Sequence, residues 1–129
     1  MARPALLVVD DDPVVRTIMA RTLAAAGYDI LEAGDGVQAL AVLQDEGGEA
    51  VRLVITDVRM PGMHGDDLGR LLHQLRPTLP VLYISGYSAP SLDFMSPDAL
   101  KRCWLAKPFT PTRLLAKVEE LLRGGLVTT

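Results

Sequence analysis

Four short, predominantly apolar runs limit what this chain can fold into: Ala5–Val9, Val51–Ile55, Val81–Ile84 and Cys103–Ala106. Each has strand length. They are rich in Val, Ile and Leu and lack the in-and-out alternation of a strand with one wet face. Continuous runs of this kind suit strands covered on both faces. Tyr28–Ala33 is more mixed, with Asp29 and Glu32, and reads as an edge strand.

Helical patterns fill the gaps. Asp12-Pro13 is a start signal, a capping residue followed by proline at the first helical position. Val15, Ile18, Met19, Thr22 and Leu23 then recur at helical spacing, and Gly27 ends the segment. Residues 35–46 form a second helix with Leu40 and Leu43 facing inward. Leu68, Leu71, Leu72 and Leu75 give the stripe of a third, stopped by Pro77. Thr110-Pro111 opens the last, with Leu114, Leu115, Val118, Leu121 and Leu122 on one side. These stripes read as core packing. Between Ile84 and Cys103 alternation calls for one more helix, but Pro90 and Pro97 bracket it. Only Ser91–Ser96 is free of proline, so a short or irregular helix is expected there.

Strand–helix alternation five times over specifies an α/β fold with a parallel sheet and helices on both faces. The chain of 129 residues is the size of one domain, with a core expected over about residues 5–123. A net charge of −3 gives no basic footprint for nucleic acid. The single cysteine, Cys103, rules out an internal disulfide. No apolar run approaches the ~20 residues that span a bilayer, and the first residues lack a signal-peptide pattern. A cytoplasmic protein with no membrane partner is expected.

Open parallel sheets place their ligand sites beyond the carboxyl ends of the strands. The first strand ends in Asp10-Asp11, the third in Asp57, the fourth in Ser85 and the fifth in Lys107. One crevice should therefore hold carboxylates, a hydroxyl and an ammonium. Carboxylates converging on one point make a hard-oxygen site, for which Mg²⁺ is the natural cation. Asp12 differs in kind, because it precedes Pro13 and caps the first helix. Taken alone, Asp10 and Asp11 are as well explained by a solvated turn; the other strand ends tip the balance.

The stretches "LLVVDDDPVVR", "ITDVRMPGMHG", "YISGYS" and "LAKPF", in this order and each at a predicted strand end, resemble the receiver domain of bacterial two-component response regulators, chemotaxis regulators included. The likeness runs from about Ala5 to Arg123. It implies a flavodoxin-like doubly wound five-stranded parallel sheet with strand order 2-1-3-4-5. It implies that Asp57 is the phosphoacceptor, taking its phosphoryl group from a histidine kinase or a histidine phosphotransfer protein. Asp10 and Asp11 would bind Mg²⁺ together with Asp57 and the backbone carbonyl of Arg59. Ser85 would hydrogen-bond the phosphoryl oxygens, and Lys107 would neutralise them, with a cis bond to Pro108. Such a domain is not a turnover enzyme; it catalyses its own phosphorylation and dephosphorylation.

Phosphoryl transfer needs charge neutralisation and in-line positioning with little covalent help, so the residue set suits the chemistry. In the resemblance an aromatic three residues before the lysine swings inward when the hydroxyl moves. That position is Trp104, and its alternative reading is a packed or partner-facing indole. Arg59 and Tyr87, each two residues past a strand-end group, would flank the mouth and tune hydrolysis of the acyl phosphate. The output face would lie around residues 90–106 and the last helix, for a second copy or a downstream protein. Leu92, Phe94 and Met95 there read as core in part, or as an apolar patch. His64 and His73 lack metal-site spacing.

Two other classes compete. Asp-x-Asp-x-Val from Asp10 to Val14 resembles the first motif of haloacid-dehalogenase-type phosphatases, with Asp10 as nucleophile and Asp12 as general acid. The only other acidic pair, Asp66-Asp67, comes before Ser85, so the motif order fails and Asp57 is unexplained. A receiver-like module that binds partners without being phosphorylated is the third reading.

Overall fold

Five strands form one parallel sheet in the order β2-β1-β3-β4-β5. They are β1 Ala5–Val9, β2 Asp29–Ala33, β3 Val51–Asp57, β4 Val81–Ser85 and β5 Trp104–Ala106. The structure, a computed structural model, describes residues 3–45, 47–86 and 92–124. Helices alternate with the strands: α1 Pro13–Ala25, α2 Gly36–Gln44, α3 Gly65–Leu75, α4 Pro97–Arg102 and α5 Pro111–Gly124. This is the flavodoxin-like topology expected, with β2 at one edge and the short β5 at the other.

The uninterrupted apolar runs work because successive side chains enter different layers. Leu6 and Val8 of β1, with Leu53, Ile55, Leu82, Ile84 and Leu105, meet α1 through Met19 and Leu23 and α5 through Leu114, Val118 and Leu121. Leu7 and Val9, with Val54, meet α2 through Ala39 and Leu43 and α3 through Leu68 and Leu72. A smaller cluster of Tyr83, Leu92 and Cys103 lies under α4. Apart from Arg52, exposed near the start of β3, the strands of the sheet centre therefore have no wet side chains.

Caps explain where the helices begin. The Asp12 carboxylate accepts the Val14 N–H at 2.9 Å and Pro13 occupies the first turn of α1. Asp35 does the same for α2, accepting from Gln38 N–H at 2.8 Å. At the end of α3 the Arg76 guanidinium donates to the carbonyls of Gly48 (2.9 Å) and Val51 (3.2 Å), tying that helix to the start of β3.

The structure corrects four expectations of detail. Ile18 is 57% exposed, and Leu71 and Leu75 are 37% and 58% exposed. The sheet covers only a stripe of each helix, centred on Met19 and Leu23 in α1 and on Leu68 and Leu72 in α3. The helix bracketed by prolines does not occupy the proline-free stretch. It starts at Pro97, whose missing N–H costs nothing at a first turn, with Ser96 Oγ accepting Ala99 N–H at 3.2 Å. Residues 92–96 are turn, and Ser91 lies outside the described residues. Cys103 closes α4 rather than opening β5. Among the described residues no helix is long and apolar enough to cross a membrane.

Candidate functional site

All five strands run the same way, so their carboxyl ends share one rim of the sheet. β1 delivers Asp10 and Asp11 there, and β3 ends in Asp57. One carboxylate oxygen from each of these three residues lies within 4.8 Å of the others. β4 ends in Ser85, which is buried, and β5 leads to Lys107. The Lys107 N–H donates to the Ser85 carbonyl at 2.9 Å, and its Nζ lies 3.2 Å from Asp57 Oδ2. The bond from Lys107 to Pro108 is cis.

Asp57 is 8% exposed. Its Oδ2 faces Lys107, and its Oδ1 accepts a long hydrogen bond, 3.4 Å, from the Arg59 N–H. The loop that follows turns through Gly62, whose φ is +78°, and returns to α3. Gly65 there donates to the Val58 carbonyl at 2.8 Å and lies against the Asp57 backbone carbonyl, where a Cβ would collide. Glycine at that position lets α3 start directly beside the end of β3.

Asp10 is 1% exposed, the deepest of the three carboxylates. Oδ1 accepts the Asp12 N–H at 2.9 Å, while Oδ2 is buried without a partner. Burial pushes this carboxyl above its ordinary range. The charges of Asp57 and Asp11 add to that push, and the Asp12 N–H and Lys107 oppose it. A buried carboxylate oxygen with no donor, beside two more carboxylates, calls for a cation. The donors are all hard oxygens, so the pocket fits a divalent metal of that preference. Asp11 is exposed and completes the pocket from the solvent side.

The sequence-derived site residues divide by what the structure does with them. Asp10, Asp11, Asp57 and Lys107 meet, and Ser85 stands at the neighbouring strand end. Arg59 touches Asp57 through its N–H. Tyr87 lies outside the described residues. Trp104 is half-buried in β5, opposite Tyr83, and its indole N–H is buried without a partner. Leu92 is buried, Phe94 and Met95 partly so. His73 stacks on Phe94, ring centroids 4.1 Å apart, and His64 Nδ1 accepts the Met60 N–H at 3.4 Å. Asp12 is committed to its helix cap, which leaves the phosphatase reading without its general acid.

One residue at the site was not singled out from the sequence. Arg16 of α1 donates to the Asp10 carbonyl at 2.7 Å and pairs through Nε with Glu32 Oε1 at 3.2 Å. Its signal was a lone cation one turn into the helix that leaves the acidic turn.

Comparison with known proteins points to one family. The family model for the response regulator receiver domain matches residues 6–119. The sensor kinase CckA of Brucella abortus is 37% identical over 117 residues, covering 91% of this chain and 12% of that protein. The transcriptional regulatory protein AruR of Pseudomonas aeruginosa is 34% identical over 122 residues, covering 93% of this chain and 50% of its own length. The chain thus spans half or less of these curated relatives. The solved structure of the chemotaxis protein CheY4 of Vibrio cholerae superposes with a TM-score of 0.76 at 29% identity, covering 93% of this chain and 99% of that one.

Proposed function

The chain belongs to the response regulator receiver domain family of two-component systems, and from that premise we propose that Asp57 takes a phosphoryl group from the phosphohistidine of a histidine kinase or a histidine phosphotransfer protein. Receiver domains interact with such kinases and with downstream effectors. The observation that carries the proposal is the meeting of Asp10, Asp11 and Asp57 within 4.8 Å, with Lys107 Nζ 3.2 Å from Asp57 Oδ2.

An Asp57 carboxylate oxygen attacks the phosphorus. The phosphorus–nitrogen bond breaks, its electron pair stays on the imidazole, and the imidazole takes a proton from solvent. A carboxylate needs no general base for this, so fixed geometry and charge are what the domain contributes. Asp10, Asp11, Asp57 and the Arg59 carbonyl would hold Mg²⁺, which supplies charge neutralisation to the phosphoryl oxygens. Lys107, whose Nζ lies 3.2 Å from Asp57 Oδ2, supplies the rest, and the Ser85 hydroxyl donates to a phosphoryl oxygen. Val14 and Ile18, 66% and 57% exposed on the helix that leaves the acidic turn, offer a helical phosphodonor an apolar seat. Water attack on the acyl phosphate ends the signal, and the Arg59 side chain sets its lifetime by ordering or excluding that water.

Output is a population shift on the flank around residues 90–106 and α5, read by a second copy or a downstream protein. An orphaned indole N–H costs about 1–3 kcal/mol, so Trp104 is poised to gain an acceptor by moving when Ser85 moves. A cytoplasmic setting belongs to the same proposal.

Incubation with Mg²⁺ and acetyl phosphate tests it. One acid-stable, base-labile phosphate should appear on the chain, and none on Asp57→Asn or after chelation. Continuous donor hydrolysis that survives Asp57→Asn speaks for the phosphatase reading. Neither uptake nor turnover speaks for a binding module.

A further inference from the structure

We infer that Arg16 is the positioning residue of the acidic turn, holding Asp10 so that a single carboxylate oxygen stays available to a divalent cation. The inference deepens the reading of the carboxylate pocket as a metal site and rests on it.

Every other polar group of Asp10 is committed. Its N–H donates to the Ala33 carbonyl at the end of β2, 3.2 Å away. Its Oδ1 takes the Asp12 N–H at 2.9 Å. Its carbonyl takes Arg16 Nη1 at 2.7 Å, the shortest of the three contacts. Only Oδ2 remains, buried and without a donor. A carbonyl that lost Arg16 would be free to rotate its peptide plane, and the Asp11 N–H and Cα would turn with it. Asp11 carries the exposed carboxylate of the pocket, so the error would pass directly to the second ligand.

Arg16 is itself anchored. Its side chain is 22% exposed, and Nε is held by Glu32 Oε1 at 3.2 Å. Gly34 lies beside it, where a Cβ would come within 3.4 Å of Nη1, and the Gly34 N–H is taken by Gln38 Oε1 at 2.8 Å. The guanidinium therefore bridges three elements, α1, β2 and the turn after β1. A planar fork can donate in two directions at once, which an ammonium at the end of a flexible stem does less well. Arg16 is also a cation on the turn that carries the acidic pair, so charge and positioning must be separated by the choice of variants.

The experiment measures Mg²⁺ binding calorimetrically and, separately, phosphate uptake from acetyl phosphate at saturating Mg²⁺. Wild type must bind Mg²⁺; a wild type that does not overturns the metal reading itself. Given binding, Arg16→Met should weaken it about tenfold, with the uptake rate at saturating metal within about twofold of wild type. Arg16→Lys keeps the charge and loses the fork, so it should recover less than half of that loss on a logarithmic scale. Glu32→Gln should weaken binding about threefold, and the double variant should be no worse than Arg16→Met alone. Without metal, amide exchange at Asp12 should quicken in Arg16→Met, a readout that needs neither ligand nor activity. Unchanged Mg²⁺ affinity in Arg16→Met, full recovery by Arg16→Lys, or effects of Arg16 and Glu32 that simply add would each overturn the inference.

Discussion

At the ends of β1 and β3 nearly every polar group has a fixed partner, whereas the flank over residues 92–106 is held by much less. The Asp10 N–H, carbonyl and Oδ1 are all hydrogen-bonded, and both Asp57 oxygens face donors. On the flank, α4 has six residues and none of them is buried. A groove of about 440 Å³ opens between α3 and α4, lined by His73, Tyr83, Phe94, Met95, Ala99 and Cys103. The Trp104 indole N–H has no partner, and Lys117 of α5 reaches across to the carbonyls of Lys101 (3.3 Å) and Arg102 (3.2 Å). Phosphoryl chemistry needs groups that do not move, and a signalling surface needs two arrangements of similar free energy. The chain puts each requirement at a different place on the same sheet.

Core truncations should make the contrast largest. Leu53→Ala, in the sheet centre, should cost about 3 kcal/mol in urea unfolding, and Leu100→Ala on α4 under about 1 kcal/mol. Equal costs would mean that the flank is as tightly built as the sheet. The Cys103 thiol reads the flank chemically. Burial pushes its pKa up to about 11. At pH 8 iodoacetamide should therefore alkylate the folded chain about a hundredfold more slowly than the unfolded one. Phosphorylation of Asp57 should raise the folded rate severalfold if it loosens α4, and a rate unmoved by phosphate would place the response elsewhere.

Gly69 marks the junction of the two regions. It sits on α3 against the buried Tyr83 hydroxyl, in space a Cβ would occupy. Gly69→Ala should cost about 2 kcal/mol despite its better helix propensity. Adding Tyr83→Phe removes the colliding oxygen and should recover about half of that loss. The smallest effect is at the acidic pocket. Because the folded-state pKa of Asp10 is raised, the folded chain holds its proton more tightly than the unfolded one. The metal-free protein should therefore lose stability as pH rises from 3.8 through that raised value. Asp10→Asn should flatten the profile and stabilise the metal-free protein by about 1 kcal/mol at pH 7, while abolishing the gain that Mg²⁺ gives wild type.

Much of this was readable in advance. The continuous runs of Leu6–Val9 and Leu53–Ile55 announced strands covered on both sides, and the strand-end rule then put Asp10, Asp57, Ser85 and Lys107 on one rim. Those are statements about local pattern and chain order, which a linear sequence carries in full. Ile18 and Leu71 obey the helical period and still face water, because the width of the buried stripe depends on how much of the helix its neighbours cover. Cys103 looked like strand because apolarity does not distinguish the last residue of a helix from the first of a strand. The role of Arg16 is not legible in the sequence because its partners, Asp10 in the turn after β1 and Glu32 on β2, lie six and sixteen residues away.

The amino-acid order by itself determined the fold class, the alternation of layers and the residue types at each strand end. Tertiary structure alone decided which oxygen of Asp10 stays free, how closely Lys107 approaches Asp57, and which flank is left loosely packed. The reason is physical: periodicity is set by the backbone within a few residues, but a hydrogen bond between distant segments exists only once the twist and packing of the sheet have brought them together.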